Sequence, residues 1–246
     1  MTDRNTVYTK VLKMLKQMTG MDKQRHMVTL AMMIAGIVTG RNAQLSAMSS
    51  EILVEAKEKS VEMRLRHWVK HSQVEAEVVY MPFLRQILGA LASTGLVLVM
   101  DGSQVGRGCM VLMVGVLYKK RALPIAWIVY KEKKGHTTAQ RHIQALEKVL
   151  PLLPAGVEVV LLGDAEYDTT EMIFWVQENT SWNYVLRTAL QIYVLEGQQS
   201  QPIRNFPLAK GLLFQRCQVG FTQGAEVSLN LVGWWYSRYD EENRID

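Results

Sequence analysis

The chain has 246 residues, 48% of them hydrophobic and 21% charged, which is the balance of a soluble globular protein with a core of one large or two small domains. Its net charge of +5 is uneven: residues 1–90 carry 13 Lys/Arg against 8 Asp/Glu, and residues 91–246 carry 15 of each. A basic front end suits a polyanionic partner. Two distant cysteines, Cys109 and Cys217, give neither a metal spacing nor a disulfide framework, and read as packed, reduced thiols of an intracellular protein.

Residues 5–90 read as all-helical. Val7, Val11, Leu12, Met14, Leu15 and Met18 recur at helical spacing with Lys10, Lys13 and Lys16 between them, until Gly20 breaks the run. Met27 to Val38 is the most apolar helix, and Gly40 is its expected stop. This run is shorter than the roughly 20 residues that span a bilayer. It also lies too far along the chain for a signal peptide, so the expected location is cytoplasmic, with no membrane partner. The Met-rich segments 14–18 and 27–33 are expected to fill the core. Helices over 46–59 and 60–71 follow, and Pro82 opens another that runs through Ala92. In VEMRLRHWVKHSQ, the cations Arg64, Arg66 and Lys70 read either as a solvated helix face or as contacts to a DNA backbone, since phosphates are met mainly by Lys and Arg.

The texture changes at Gly95. Leu96–Met100 reads as a strand, Cys109–Tyr118 as a second, Lys119-Lys120-Arg121 as a basic turn, and Ala122–Tyr130 as the returning arm of a hairpin. A helix from Thr137 to Leu150 is capped by Thr137 or Thr138. Val157–Leu162 is a fourth strand, Thr169–Asn179 a helix, and Tyr184–Arg187 a fifth strand. The order β-β-β-α-β-α-β predicts an α/β, ribonuclease-H-like mixed sheet, in which carboxylates gather at the ends of the first and fourth strands. Beyond Leu190 helical periodicity vanishes, and Gln191–Leu195, Gly211–Val219 and Ala225–Trp235 read as strands between GQQSQP and TQG turns. The expected organisation is a helical, basic region over 1–92, the sheet core over 93–188, and a β-rich region over 189–246. Lys119, Lys120, Arg121, Lys131, Lys133 and Lys134 are expected at one end of the hairpin, as a solvated turn or as a contact to a DNA backbone. His136 has no second ligand at metal spacing and reads as a loop or capping residue. Trp234, Trp235 and Tyr236 are expected to pack the β-rich region, with base stacking as the alternative use.

Two aspartates anchor the functional reading. GLVLVM delivers Asp101 and VEVVLLG delivers Asp164, each at the expected end of a buried strand and each beside a glycine that relaxes the backbone. Phosphodiester chemistry needs an activated water or hydroxyl and a stabilised leaving oxygen; two metal ions about 3.5–4 Å apart supply both, and clustered carboxylates hold them. Magnesium takes oxygen ligands and retains waters, so few acidic side chains suffice. Asp101 and Asp164 are therefore the candidate catalytic and metal-binding residues. The plain alternative is that each Asp caps a turn or a helix.

LVLVMDGSQVGRG, the basic-turn hairpin, GHTTAQRHIQALEKVLP, VVLLGDAEYDTTEMIFWVQE and NYVLRT together resemble DDE transposases of bacterial insertion sequences. The likeness is to the insertion-sequence-four-like group, which carries a β-rich insertion between its second Asp and its Glu. RLRHWVKHSQVEAEVVYMPFL resembles the helical segment that precedes the core there, and the resemblance covers roughly residues 30–240. It implies an enzyme that cuts DNA at element ends and joins them to a target, with Mg2+ or Mn2+ as cofactor. Terminal-repeat and target DNA are the implied partners, and a homodimer is allowed. Asp101 matches the first metal-binding Asp and Asp164 the second. Glu166 and Tyr167 match a D-x-E-[FY] neighbourhood that supports the site.

One part of that pattern is missing. The third acid of the family follows a Tyr, then an Arg three positions on, then Glu four further on, and no such spacing occurs between Asp164 and Asp246. Glu241, Glu242 and Asp246 read as solvated tail charges. The expectation is a chain truncated before its third ligand, with catalysis impaired or absent. The alternative is a non-catalytic DNA-binding remnant or an inhibitor of a full-length transposase. GDAEYD also matches an acidic motif of haloacid-dehalogenase-like phosphatases, with Asp101 as nucleophile. Ser103 stands where that family has its acid/base Asp, and its nucleophile strand enters a parallel sheet, not a basic-turn hairpin.

Overall fold

In the computed structural model, which describes residues 4–19, 24–71, 75–132, 137–207, 211–222, 224 and 227–234, the chain divides into two compact units, 1–90 and 91–246. The first is helical: α1 (Arg4–Met18), α2 (Gln24–Gly40), α3 (Leu45–Glu51), α4 (Glu58–Val69), α5 (Ala76–Val79) and α6 (Met81–Leu91). Helix α2 organises it, because it is apolar on nearly every side and so needs partners all round. Met27 and Ala31 pack with Leu15 of α1 and Phe83 of α6, while Met33 packs with Met48, Val61 and Leu65 of α3 and α4. Gly36 allows the close approach, since a Cβ there would lie 3.0 Å from the Met48 carbonyl oxygen.

The second unit is built on β1 (Leu96–Gly106), β2 (Cys109–Tyr118), β3 (Arg121–Lys131), β4 (Val159–Gly163) and β5 (Asn183–Leu186), with α7 (Ala139–Val149) and α8 (Thr170–Asn179) in the crossovers. The sheet order is β3-β2-β1-β4-β5; the first three strands run antiparallel, and β4 and β5 join β1 in parallel. This is the mixed sheet of a ribonuclease-H-like core. Alternation along β1 buries Leu96, Leu98 and Met100 on one face, beside Val159 and Leu161 of β4. Helix α7 packs on that face against β2, β3 and α8, and buries His142, Ala145, Leu146 and Val149. Each fully buried Leu there is stabilised by about 1.5–3 kcal/mol relative to exposure. The opposite face is more open and carries Val97, Val99 and Asp101 of β1 and the exposed Val185 of β5.

A second sheet has the order β7-β6-β8-β9, from β6 (Tyr193–Glu196), β7 (Gln199–Pro202), β8 (Leu213–Phe221) and β9 (Val227–Trp234). Val194, Phe206, Phe214, Val219, Phe221, Val227 and Leu231 form its core with Ile173 of α8, and Tyr184 and Leu186 of β5 pack against it. Gln177 of α8 donates from Nε2 to Tyr184 Oη at 2.8 Å and to the Ser228 carbonyl at 3.3 Å, which ties the two sheets together.

Three expectations need correction. Strand β1 runs through Gly106, so Asp101 lies inside it and not at its end. Beyond the expected end at Met100, Gly102–Gln104 continue to pair with β2, and Arg107 (φ 53°) and Gly108 (φ 71°) close a two-residue hairpin turn that both positive angles permit. The helix expected over 46–59 stops at Glu51, because Ile52 turns extended (φ −85°, ψ 121°) and packs beside Met33, Met48, Val61 and Leu65. GQQSQP is not all turn: Gln199–Pro202 pair with β6, as a polar edge strand needs no apolar signature.

Candidate active site

Val99 of β1 pairs with Leu162 of the parallel strand β4. Carried two residues on, that register sets Asp101 of β1 level with Asp164, the first residue after the end of β4. Both side chains are exposed. Asp101 alternates with the buried Met100, so its carboxylate is on the face away from α7, and it has no hydrogen bond or ion pair among the described residues. Asp164 also caps its own turn: Oδ1 accepts the Glu166 N–H at 2.9 Å, and its carbonyl accepts that of Tyr167 at 3.1 Å.

The glycines beside the two aspartates do not relax the backbone. Neither Gly102 nor Gly163 has a positive φ. They make room for Tyr167, which is 1% exposed. A Cβ on Gly102 would lie 3.2 Å from the Tyr167 hydroxyl oxygen, and one on Gly163 would lie 3.1 Å from Tyr167 Cβ and 3.0 Å from Leu186 Cδ2. Burial, then the charges of Glu166, Asp101 and Asp164, hold the phenol far above its usual range, so it stays protonated. His142 of α7 meets the Tyr167 ring edge to face at 4.9 Å. Burial pulls its imidazole down to about 4, against a smaller upward pull from Asp164. Asp168, raised by burial, accepts a 2.6 Å hydrogen bond from Thr188 Oγ1, which opposes the rise and clasps the loop after Asp164 to the end of β5.

Sequence reading did not single out His142 or the Asp168–Thr188 clasp. The available signal for His142 was its place on the apolar stripe of α7, at i−3, i−4 and i−7 from Ala145, Leu146 and Val149.

The donor set suits a hard divalent cation: two exposed carboxylates, with the exposed Arg187 following Leu186, the β5 partner of Gly163. No group of three or more His, Cys, Asp or Glu able to hold a metal occurs among the described residues. Glu241, Glu242 and Asp246 lie outside them, as do His136, Lys133 and Lys134.

The candidate DNA contacts separate. On α4, Arg66 and Lys70 are four residues apart on the exposed side that also carries Lys59 and His67. Arg66 pairs with Glu62 at 2.6 Å. Arg64 turns to the flank and donates from Nε to Thr29 Oγ1 of α2 at 3.1 Å. Lys119, Lys120 and Arg121 form the β2–β3 turn, where Tyr118 pairs with Arg121. Met113 is the partner of Asp101, so that turn begins six residues, or about 20 Å, along the strand from Asp101. Lys131 pairs with Cys109 at the other end of the hairpin, so the expected single basic cluster does not form. Trp234 is not packed inside the second sheet: it alternates outward from Gly233 and is 62% exposed, while Trp235 and Tyr236 lie outside the described residues. Cys217 is likewise exposed and Cys109 only half-buried. No helix among the described residues is long and apolar enough to cross a membrane.

No family model and no curated protein matches the chain. Among solved structures, a cryo-EM piggyBac transposase synaptic complex with hairpin DNA matches at a TM-score of 0.42 and 12% identity, over 98% of this chain and 61% of that one. The crystal structure of the Mos1 strand transfer complex matches at a TM-score of 0.25 and 14% identity, over 69% of this chain and 60% of that one. The chain thus spans about three-fifths of the length of both. At these scores the likenesses carry no weight of their own, and the fold stands on its strand order.

Proposed function

We propose that this chain is a transposase-type core of the DDE, insertion-sequence-four-like kind, which binds DNA ends and holds Mg2+ or Mn2+ on Asp101 and Asp164 for phosphodiester transfer. What supports the reading is that Asp101 on β1 and Asp164, the first residue after β4, are exposed carboxylates borne by neighbouring parallel strands and the loop that follows, in a ribonuclease-H-like sheet. The antiparallel β1–β2–β3 arm favours this reading over a haloacid-dehalogenase-like phosphatase, whose nucleophile strand enters a parallel sheet.

A divalent ion held there supplies Lewis-acid activation of a phosphodiester. The chain's own residues do the rest. Asp101 and Asp164 present oxygen ligands, and the Glu166 N–H holds one Asp164 oxygen in place. Tyr167 stays protonated and fills the space behind both strands. The exposed cations Lys59, Arg66 and Lys70 of α4, and the Lys119-Lys120-Arg121 turn, offer contacts to phosphates.

Calorimetric titration with Mn2+ tests the site. The chain should bind, and Asp101→Asn and Asp164→Asn should each weaken binding at least tenfold. Unchanged affinity in both variants sinks the metal site. Gel-shift and nicking assays on a terminal-repeat duplex then separate a working enzyme from a DNA-binding remnant.

A further inference from the structure

We propose that His142 is a positioning residue for the two carboxylates and acts through Tyr167. Gly102 follows Asp101 in β1, and Gly163 precedes Asp164 in β4. The Tyr167 side chain passes close to both glycines, with its hydroxyl under Gly102 and its Cβ and ring edge against Gly163. One side chain therefore touches both strands next to both carboxylates, its ring edge at β4 and its hydroxyl at β1, from the face opposite to them. A tilt of that ring moves β1 and β4 relative to each other, and with them the gap between Asp101 and Asp164.

His142 controls the tilt. Its ring meets that of Tyr167 at 4.9 Å with the planes 65° apart, an edge-to-face arrangement whose attraction depends on orientation. It is fully buried, and neither Nδ1 nor Nε2 has a hydrogen bond among the described residues. Buried polar atoms without partners cost stability, so a side chain present only to fill space would be better as Leu. What a flat ring adds is a fixed angle on the phenol. Residues that orient metal ligands from behind commonly change metal affinity 10- to 100-fold when replaced.

This inference rests on the proposed metal site for its consequence, but not for its test. Gly163 lies against the Tyr167 ring edge and Gly102 against its hydroxyl, so the α-proton NMR shift of Gly163 reports the ring's tilt in the metal-free chain, with Gly102 reporting the hydroxyl end. His142→Leu should reduce the ring-current displacement of the Gly163 signal by half or more and shift the Gly102 signal, without lowering Tm. His142→Phe, which keeps a flat ring, should retain it. Where Mn2+ binds, His142→Leu should raise its Kd about tenfold. Unchanged glycine shifts in His142→Leu overturn the proposal. So does a loss of shift that is equal in the Leu and Phe variants and accompanied by a lower Tm, because that pattern means packing alone. Failure of the unaltered chain to bind Mn2+ sinks the metal site instead, and the glycine shifts still decide the role of His142.

Discussion

Acid should destabilise the second unit through His142 in a defined pH window. The imidazole has an ordinary value near 6.5 in the unfolded chain, and burial pulls it down to about 4 in the fold. Between those values the unfolded chain binds a proton that the folded chain refuses, so stability falls as pH drops through the window and is flat above it. At 1.36 kcal/mol for each pH unit, a drop of 2.5 units amounts to about 3 kcal/mol, a large part of the 5–15 kcal/mol of a typical domain. His142→Leu removes the titration. It also removes two unpartnered nitrogens, which should add about 1–3 kcal/mol at every pH. Urea unfolding of both proteins at pH 7.5, 6, 5 and 4.5 gives the comparison. The advantage of His142→Leu should be constant above pH 6.5 and should grow by about 1.4 kcal/mol per unit below it. Asp168, whose carboxyl burial raises above its usual range, is common to both proteins, so it drops out of the difference. Parallel curves from pH 7.5 to 4.5 would show that His142 is not held neutral by burial and would refute the reasoning.

The two glycines under Tyr167 should not be equivalent. Gly163→Ala drives a methyl to within 3.0–3.1 Å of Leu186 and Tyr167 and should cost about 1–3 kcal/mol, whereas Gly102→Ala meets only the hydroxyl end of Tyr167 and should cost less; equal losses in thermal melts would contradict this ranking. Arg66→Ala with Lys70→Ala should weaken DNA binding and flatten its salt dependence by about one unit of slope per lost phosphate contact, as read in gel shifts at several salt concentrations. Arg64→Ala should instead lower helical-unit stability by about 1 kcal/mol through the lost bond to Thr29, with a smaller effect on DNA binding. Thr188→Val should release Asp168 at a cost of about 1.5–3 kcal/mol and speed amide exchange in the loop after Asp164; unaltered exchange would mean that the clasp holds nothing in place.

What was legible in the sequence followed from periodicity and from chain order. Apolar runs of strand length, with helical stripes between them, identify β1–β5 and α7–α8, and chain order then implies which strands are neighbours. Features fixed by tertiary fit were not legible. The run Gly102–Gly106 looks like a loop by composition and is a strand by pairing, because β2 supplies the partner that a local reading does not see. Ile52 ends α3 by entering a core whose other members come from three separate helices. The cations of α4 are close in sequence, yet Arg64 and Arg66 lie about 200° apart around the helix, so one is drawn to α2 while the other faces outward. Trp234 could have been called either way, since an outward position on β9 is decided by the register with β8 and not by its own hydrophobicity.

Asp-Gly at 101–102 and Gly-Asp at 163–164 look like two turn signals, and turn chemistry is the first explanation their composition suggests. Strand geometry gives a different one. Successive residues of a strand face opposite sides, so a carboxylate and its neighbouring glycine are the upper and lower halves of one requirement. Above the sheet, an exposed pair of oxygen ligands needs Asp101 on β1 and Asp164 just past the end of β4. Below it, the aromatic ring that spans both strands needs positions without a Cβ, and Gly102 and Gly163 are the residues there. The order of the pair reverses between the motifs because Tyr167 meets β1 one residue after its aspartate and β4 one residue before. On this reading each glycine is tied to Tyr167 and not to the metal. Alanine at Gly163 in a Tyr167→Ala background should therefore recover the part of the stability loss that the Tyr167 contacts cause, leaving the part due to Leu186. A double-mutant cycle showing simple additivity would separate the glycine from the ring and leave its presence beside Asp164 unexplained.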